Sequence, residues 1–127
     1  MNLLRAATLL VVLTLTSVAC VADNRPDPQA CGQASVALDL RLAEGTLEPN
    51  DPAVCRGQEV TLTIDVEQDG VFHIHGYDEE VSATEVRAGE ATTFEFRASR
   101  SGQFPIELHT DDEPEGVPLG IFTVHEP

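Results

Sequence analysis

Beyond residue 30 the apolar positions recur every second residue. Val36, Leu38, Leu40 and Leu42 alternate with Ala37, Asp39 and Arg41, and Val60, Leu62, Ile64 and Val66 alternate with Thr61, Thr63, Asp65 and Glu67. A period of two sends one set of side chains to a buried face and the other to solvent, the pattern of half-buried strands. Further strands are expected at residues 72–75, 81–87, 92–98, 103–109 and 119–125, bounded by Gly, Asp, Ser or Pro clusters, with a short one around Val54. No long window carries a helical period with caps. About eight short strands in roughly a hundred residues predict an all-β sandwich with Greek-key connections.

The N-terminus breaks this pattern. Arg5 precedes an uncharged run, residues 6–22, that contains Leu9, Leu10, Val11, Val12, Leu13 and Leu15. A basic start followed by an apolar run reads as a secretory signal. The run falls short of the ~20 apolar residues of a spanning helix and closes on small residues, Ser17-Val18-Ala19, before Cys20. Cleavage is therefore expected, with residues 1–19 as signal. Small residues before a cysteine resemble the lipobox of bacterial lipoproteins, which implies a lipid on Cys20 and a membrane anchor through it alone. Ser17 stands where that motif usually has an aliphatic residue, so the alternative is an ordinary cut after Ala22 and a secreted or periplasmic chain. Residues 20–30 are polar, with Pro26 and Pro28, and predict a semi-extended tether. Residues 31–127 are then one domain in the cell envelope, expected to be monomeric.

With Cys20 set aside as lipid carrier, Cys31 and Cys55 remain as an even pair, and in an exported chain a disulfide between them is the default. Neither lies in a CxxC, and no further thiolate exists to build a zinc ribbon. All 22 acidic residues follow the signal, there is no lysine, and losing Arg5 takes the net charge from −15 to −16. Such a field repels nucleic acid and anionic lipid, which excludes both as partners, and attracts cations and basic proteins. The same composition also arises from genome bias or a saline habitat.

The candidate chemistry lies in Phe72-His73-Ile74-His75-Gly76-Tyr77-Asp78. Residues two apart on a strand point the same way, so both imidazoles can face one ion. The order of elements around it runs from Gly57-Gln58-Glu59-Val60-Thr61-Leu62, through His73, to Gly102-Gln103-Phe104-Pro105-Ile106-Glu107-Leu108-His109, a loop, and Gly120-Ile121-Phe122-Thr123-Val124. This resembles a cupredoxin over residues 36–124, and in particular bacterial extracytoplasmic domains with an H-(V/I)-H-G-Y-D segment.

The resemblance implies that His73 matches the family's first copper-ligating histidine and that His109 opens the loop supplying the others. Leu108 stands where a blue-copper protein has its cysteine, and residues 110–118 hold neither a histidine nor a methionine. A His2Cys centre is thereby excluded. What remains is a site of His73, His75 and His109, with Asp111, Asp112 or Glu113 in reach. Imidazole and carboxylate suit Cu(II), Zn(II) and Ni(II), with copper first on intrinsic affinity. The alternative is a metal-free fold that recognises a partner through its acidic loops. Ser82 lies near the histidines, but no nucleophile elbow is present, and no enzyme activity is expected. His125 reads as a surface residue and Asp78-Glu79-Glu80 as a solvated turn. Strand parity puts His73, His75, His109 and the acidic loop at one end of the sandwich and both cysteines at the other.

Overall fold

A computed structural model describes residues 28–127; the expected signal at 1–19, the lipid site Cys20 and the tether up to residue 27 lie outside the described residues. In chain order the elements are α1 (Pro28–Cys31), β1 (Ser35–Ala43), β2 (Thr46–Glu48), β3 (Ala53–Cys55), β4 (Glu59–Val66), β5 (Gly70–Ile74), β6 (Thr84–Val86), β7 (Thr92–Arg97), β8 (Gly102–His109) and β9 (Val117–His125). No helix among the described residues is long and apolar enough to cross a membrane.

The strands form two sheets, β2-β1-β4-β7 and β3-β9-β8-β5-β6. The two segments of cleanest alternation, β1 and β4, lie parallel with Val36 opposite Val60 and Leu40 opposite Ile64, and β3 lies parallel to β9. The other pairings are antiparallel. Alternation decides what faces inward: Leu40, Leu42, Leu62, Ile64 and Val66 from one sheet share a core with Phe72, Ile74, Ile106, Leu108 and Phe122 from the other. Rings bridge the layers, with Phe72 and Phe94 centroids 5.4 Å apart and those of Phe96 and Phe122 6.0 Å apart.

At one end, Cys31 and Cys55 form the expected disulfide, with Cα atoms 5.4 Å apart. Closing that loop contributes about 3 kcal/mol on the chain-entropy estimate. Beside it Gln58, only 5 % exposed, donates from Nε2 to the carbonyls of Ala30 (2.8 Å) and Gln33 (3.0 Å), and its Oε1 accepts from the Cys55 amide (2.8 Å). These bonds explain why residues 28–30, expected as the end of an extended tether, wind into α1 against the sandwich instead.

Two other expectations change. Strand β2 was not foreseen, because three residues with a single buried Leu47 carry too little periodicity to register. The strand expected at 81–87 shrinks to β6, since the amides of Glu80 and Val81 both donate to the Tyr77 carbonyl, at 3.2 and 2.9 Å, and coil the chain before it.

Candidate metal centre

Strands β5 and β8 build the site. Their antiparallel register sets Val71 opposite His109 and His73 opposite Glu107, and the His75 amide adds a rung by donating to the Pro105 carbonyl at 2.8 Å. Even-numbered Phe72, Ile74, Ile106 and Leu108 enter the core, so odd-numbered His73, His75, Glu107 and His109 share the outer face of the sheet. Along that face His109 lies one step above the His73–Glu107 rung and His75 one step below.

The ladder stops at His75 because Pro105 offers a carbonyl and no N–H. Gly76, at φ 80°, then reverses the chain. Tyr77 follows with no exposed surface, its ring centroid 4.5, 5.5 and 6.0 Å from those of Phe104, Phe122 and Phe96. Arg100 holds this turn from outside: its Nη2 donates to the Gly76 carbonyl at 2.6 Å and to Glu80 Oε2 at 3.2 Å, and its guanidinium lies 5.0 Å from the Tyr77 ring centroid. With Tyr77 anchored, Asp78 comes back to hydrogen-bond His73. Residues 78–80 form the expected turn, with Asp78 and Glu79 exposed, and two of its three carboxylates have partners, Asp78 in His73 and Glu80 in Arg100.

His73 lies between two carboxylates, with Nε2 bonded to Asp78 Oδ1 and Nδ1 3.8 Å from Glu107 Oε2. A carboxylate accepts only, so the proton is assigned to Nε2, which leaves the Nδ1 lone pair toward Glu107. In His109 the assignment reverses. Its Nδ1 donates to the Pro114 carbonyl at 3.0 Å, so Nε2, 3.5 Å from Glu107 Oε2, is the acceptor. Gly116, at φ 87°, makes room for this ring: a Cβ there would approach His109 Cε1 to 2.7 Å. Hydrogen bonding to His73 holds the Asp78 carboxyl below its usual range, and the Arg100 guanidinium does the same for Glu80.

The ligand atoms of His73, His75 and Glu107 all lie within 4.8 Å of one another. Around one ion with bonds near 2.05 Å, tetrahedral ligands sit roughly 3.3 Å apart, so modest side-chain rotation closes this group on a metal. His109 stands beside it, its ring centroid 5.7 Å from that of His73, against 5.6 Å for His75. Asp111, Asp112 and Glu113 are exposed in the following loop and do not join the group. Asp111 and Asp112 line, with Asp69, Glu85, Arg87 and His109, a neighbouring cleft of about 720 Å³. His125 is half-buried at the disulfide end, opposite Cys55.

The expected gathering at one end of the sandwich is thus corrected in part. His109 and its loop lie at the end of β8, but His73 and His75 run down the sheet face. Glu107 and Asp78 were not among the expected residues. Glu107 had a signal, because it shares the period-two face of His109 within β8; Asp78 closes the H-(V/I)-H-G-Y-D segment, but nothing local pairs it with His73. Leu108, where the cupredoxin resemblance would put a cysteine, is 1 % exposed and points to the core, on the opposite side of the sheet from the histidines. Both cysteines among the described residues are in the disulfide.

No protein-family model matches the chain, and no curated protein does. Solved structures do match. The blue copper oxidase from Nitrosomonas europaea aligns over 72 % of this chain and 39 % of its own, at 14 % identity and a TM-score of 0.57. The copper nitrite reductase from the same organism aligns over 72 % of this chain and 42 % of its own, at 17 % identity and a TM-score of 0.55. Auracyanin from the photosynthetic bacterium Roseiflexus castenholzii aligns over 72 % of this chain and 98 % of its own, at 20 % identity and a TM-score of 0.55. The chain therefore spans less than half of the two enzymes and nearly all of the auracyanin. At these identities the likeness is one of fold, and the fold is a cupredoxin-like β-sandwich.

Proposed function

We propose that this chain is an exported cell-envelope module that holds a divalent metal ion, copper in the first place, on the outer face of its five-stranded sheet. The observation that carries the reading is the convergence of His73, His75 and Glu107. Two imidazoles and a carboxylate suit Cu(II), Zn(II) and Ni(II), and the intrinsic order of affinities puts copper ahead. Neighbouring folds named for copper support that choice. The ligand group contains no thiolate, so the reading is of holding or handing on an ion, with no blue-copper electron transfer. His75 is exposed and His73 half-buried, so an ion reaches them directly from solvent, drawn by the acidic field. A lipid on Cys20 would tether the domain by its disulfide end and leave this face open to the envelope space.

One observation favours a metal-free module that recognises a basic partner through its acidic loops. The His73 and His109 rings already have protein partners in Asp78 and Pro114. Titrating metal-free protein with Cu(II) and Zn(II) by calorimetry separates the two. Wild type is expected to show a saturable heat that His73→Ala/His75→Ala loses. Equal, weak heats from both proteins would remove the metal reading.

A further inference from the structure

We infer that Asp78, which is not in the ligand group, is the positioning residue of this candidate site: it fixes His73 in the tautomer that offers Nδ1 to a divalent metal. The inference rests on the metal-binding reading above and specifies how the site is prepared. Which imidazole nitrogen ligates is set by the hydrogen bond made by the other. Asp78 Oδ1 meets Nε2 and has no proton to give, so Nε2 keeps the hydrogen and Nδ1 is left bare.

The bare nitrogen looks toward Glu107 Oε2 across 3.8 Å. That gap is too long for a hydrogen bond and fits two metal–ligand bonds of roughly 2.1 Å meeting at an open angle. The negative carboxylate behind the ring also makes Nδ1 a stronger donor, the usual effect of a carboxylate hydrogen-bonded to a ligating histidine.

What makes Asp78 a built partner rather than a passing one is how the chain delivers it. Gly76 reverses direction at φ 80°, Tyr77 is locked in the core with no exposed surface, and Arg100 clamps the Gly76 carbonyl at 2.6 Å. None of these contacts involves His73 or an ion. The backbone of residue 78 is therefore held in reach of the imidazole before any metal arrives, and the entropy of ordering the ring is spent in folding instead of in binding. His109 is prepared in the same manner with the opposite nitrogen, through the Pro114 carbonyl and Gly116, so two rings present unprotonated nitrogens to the single carboxylate of Glu107.

The test compares wild type with Asp78→Ala and the isosteric Asp78→Asn. Long-range proton–nitrogen NMR of the metal-free proteins in mildly alkaline buffer reads the His73 tautomer. Competition against a chelator reads Zn(II) affinity, and thermal unfolding checks the fold. Wild-type His73 should carry its proton on Nε2, and Asp78→Ala should show a mixture of tautomers and lose about 10–100-fold in Zn(II) affinity. Asp78→Asn, whose amide oxygen can still accept from Nε2, should keep the tautomer and lose less.

If wild type binds Zn(II) and Asp78→Ala binds as tightly, or if His73 of wild type is protonated on Nδ1, the inference fails and the metal reading stands. A loss of affinity with an unchanged tautomer in Asp78→Ala also overturns the positioning role, leaving only a charge effect. If wild type binds neither Zn(II) nor Cu(II), the metal reading fails and takes the inference with it. The wild-type tautomer needs no variant, so a poorly folding substitution cannot shield the proposal.

Discussion

The two faces of the β5–β8 pair follow opposite rules. Inward, Phe72, Ile74, Ile106 and Leu108 are buried within a continuous core and have no polar atom to satisfy. Outward, one residue along, His73, His75, Glu107 and His109 bring donors and acceptors into one patch, where every partner is a side chain or a loop carbonyl. The inner face supplies stability and is sensitive to the volume of its side chains. The outer face supplies little stability and is sensitive to which nitrogen carries a proton. A single strand pair thus separates folding from chemistry by the two-residue period alone, and each face can be perturbed without the other.

The sharpest break of that separation is on the inner side. Phe72→Ala should destabilise the domain by about 3–5 kcal/mol, as for other fully buried aromatics. Urea unfolding would read this, while metal affinity of the still-folded fraction stays close to wild type. An affinity that falls in step with stability would mean the faces are coupled.

A smaller effect is expected where the outer face meets its loop. Gly116→Ala places a methyl against the His109 ring in a backbone conformation that disfavours side chains, at a cost of about 1–3 kcal/mol. Its signature is a displaced His109 resonance with His73 and Phe72 unmoved. Unfolding at the wild-type midpoint with no change at His109 would contradict the cradle.

Smallest is the contribution of the ion pair that fastens the turn. Glu80 has its folded-state pKa depressed below the ordinary value of 4.5, chiefly by Arg100, so the stability it contributes is present above that value and lost as pH falls through the folded pKa. Wild type should therefore exceed Glu80→Gln in urea midpoint near neutral pH, and the gap should close in acid. A gap that is constant with pH would show that Arg100 does not hold the turn through this charge.

Legibility in the sequence followed the same division. The strands of clean alternation, β1 and β4, were readable because eight or nine residues repeat a period that only a half-buried strand satisfies. The disulfide was readable from cysteine parity once Cys20 was set aside. His73 and His75 were readable as a pair because their spacing equals the strand period. Glu107 was harder, since it matters only through the cross-strand register, which no local pattern specifies. The solvated turn at residues 78–80 was legible, but the partners of Asp78 and Glu80, His73 and Arg100, were not, because a buried tyrosine and a proline-ended ladder set them, both tertiary effects. The shared end expected for the histidines followed from counting strands; only pairing shows how far along each strand a residue lies.

The most direct test of the central claim is anomalous diffraction from crystals of the copper-loaded protein. The account predicts a copper peak on the outer face of the five-stranded sheet, within bonding distance of His73 Nδ1, His75 and Glu107. A peak in the 111–113 loop away from these side chains, or none at saturating copper, would contradict it.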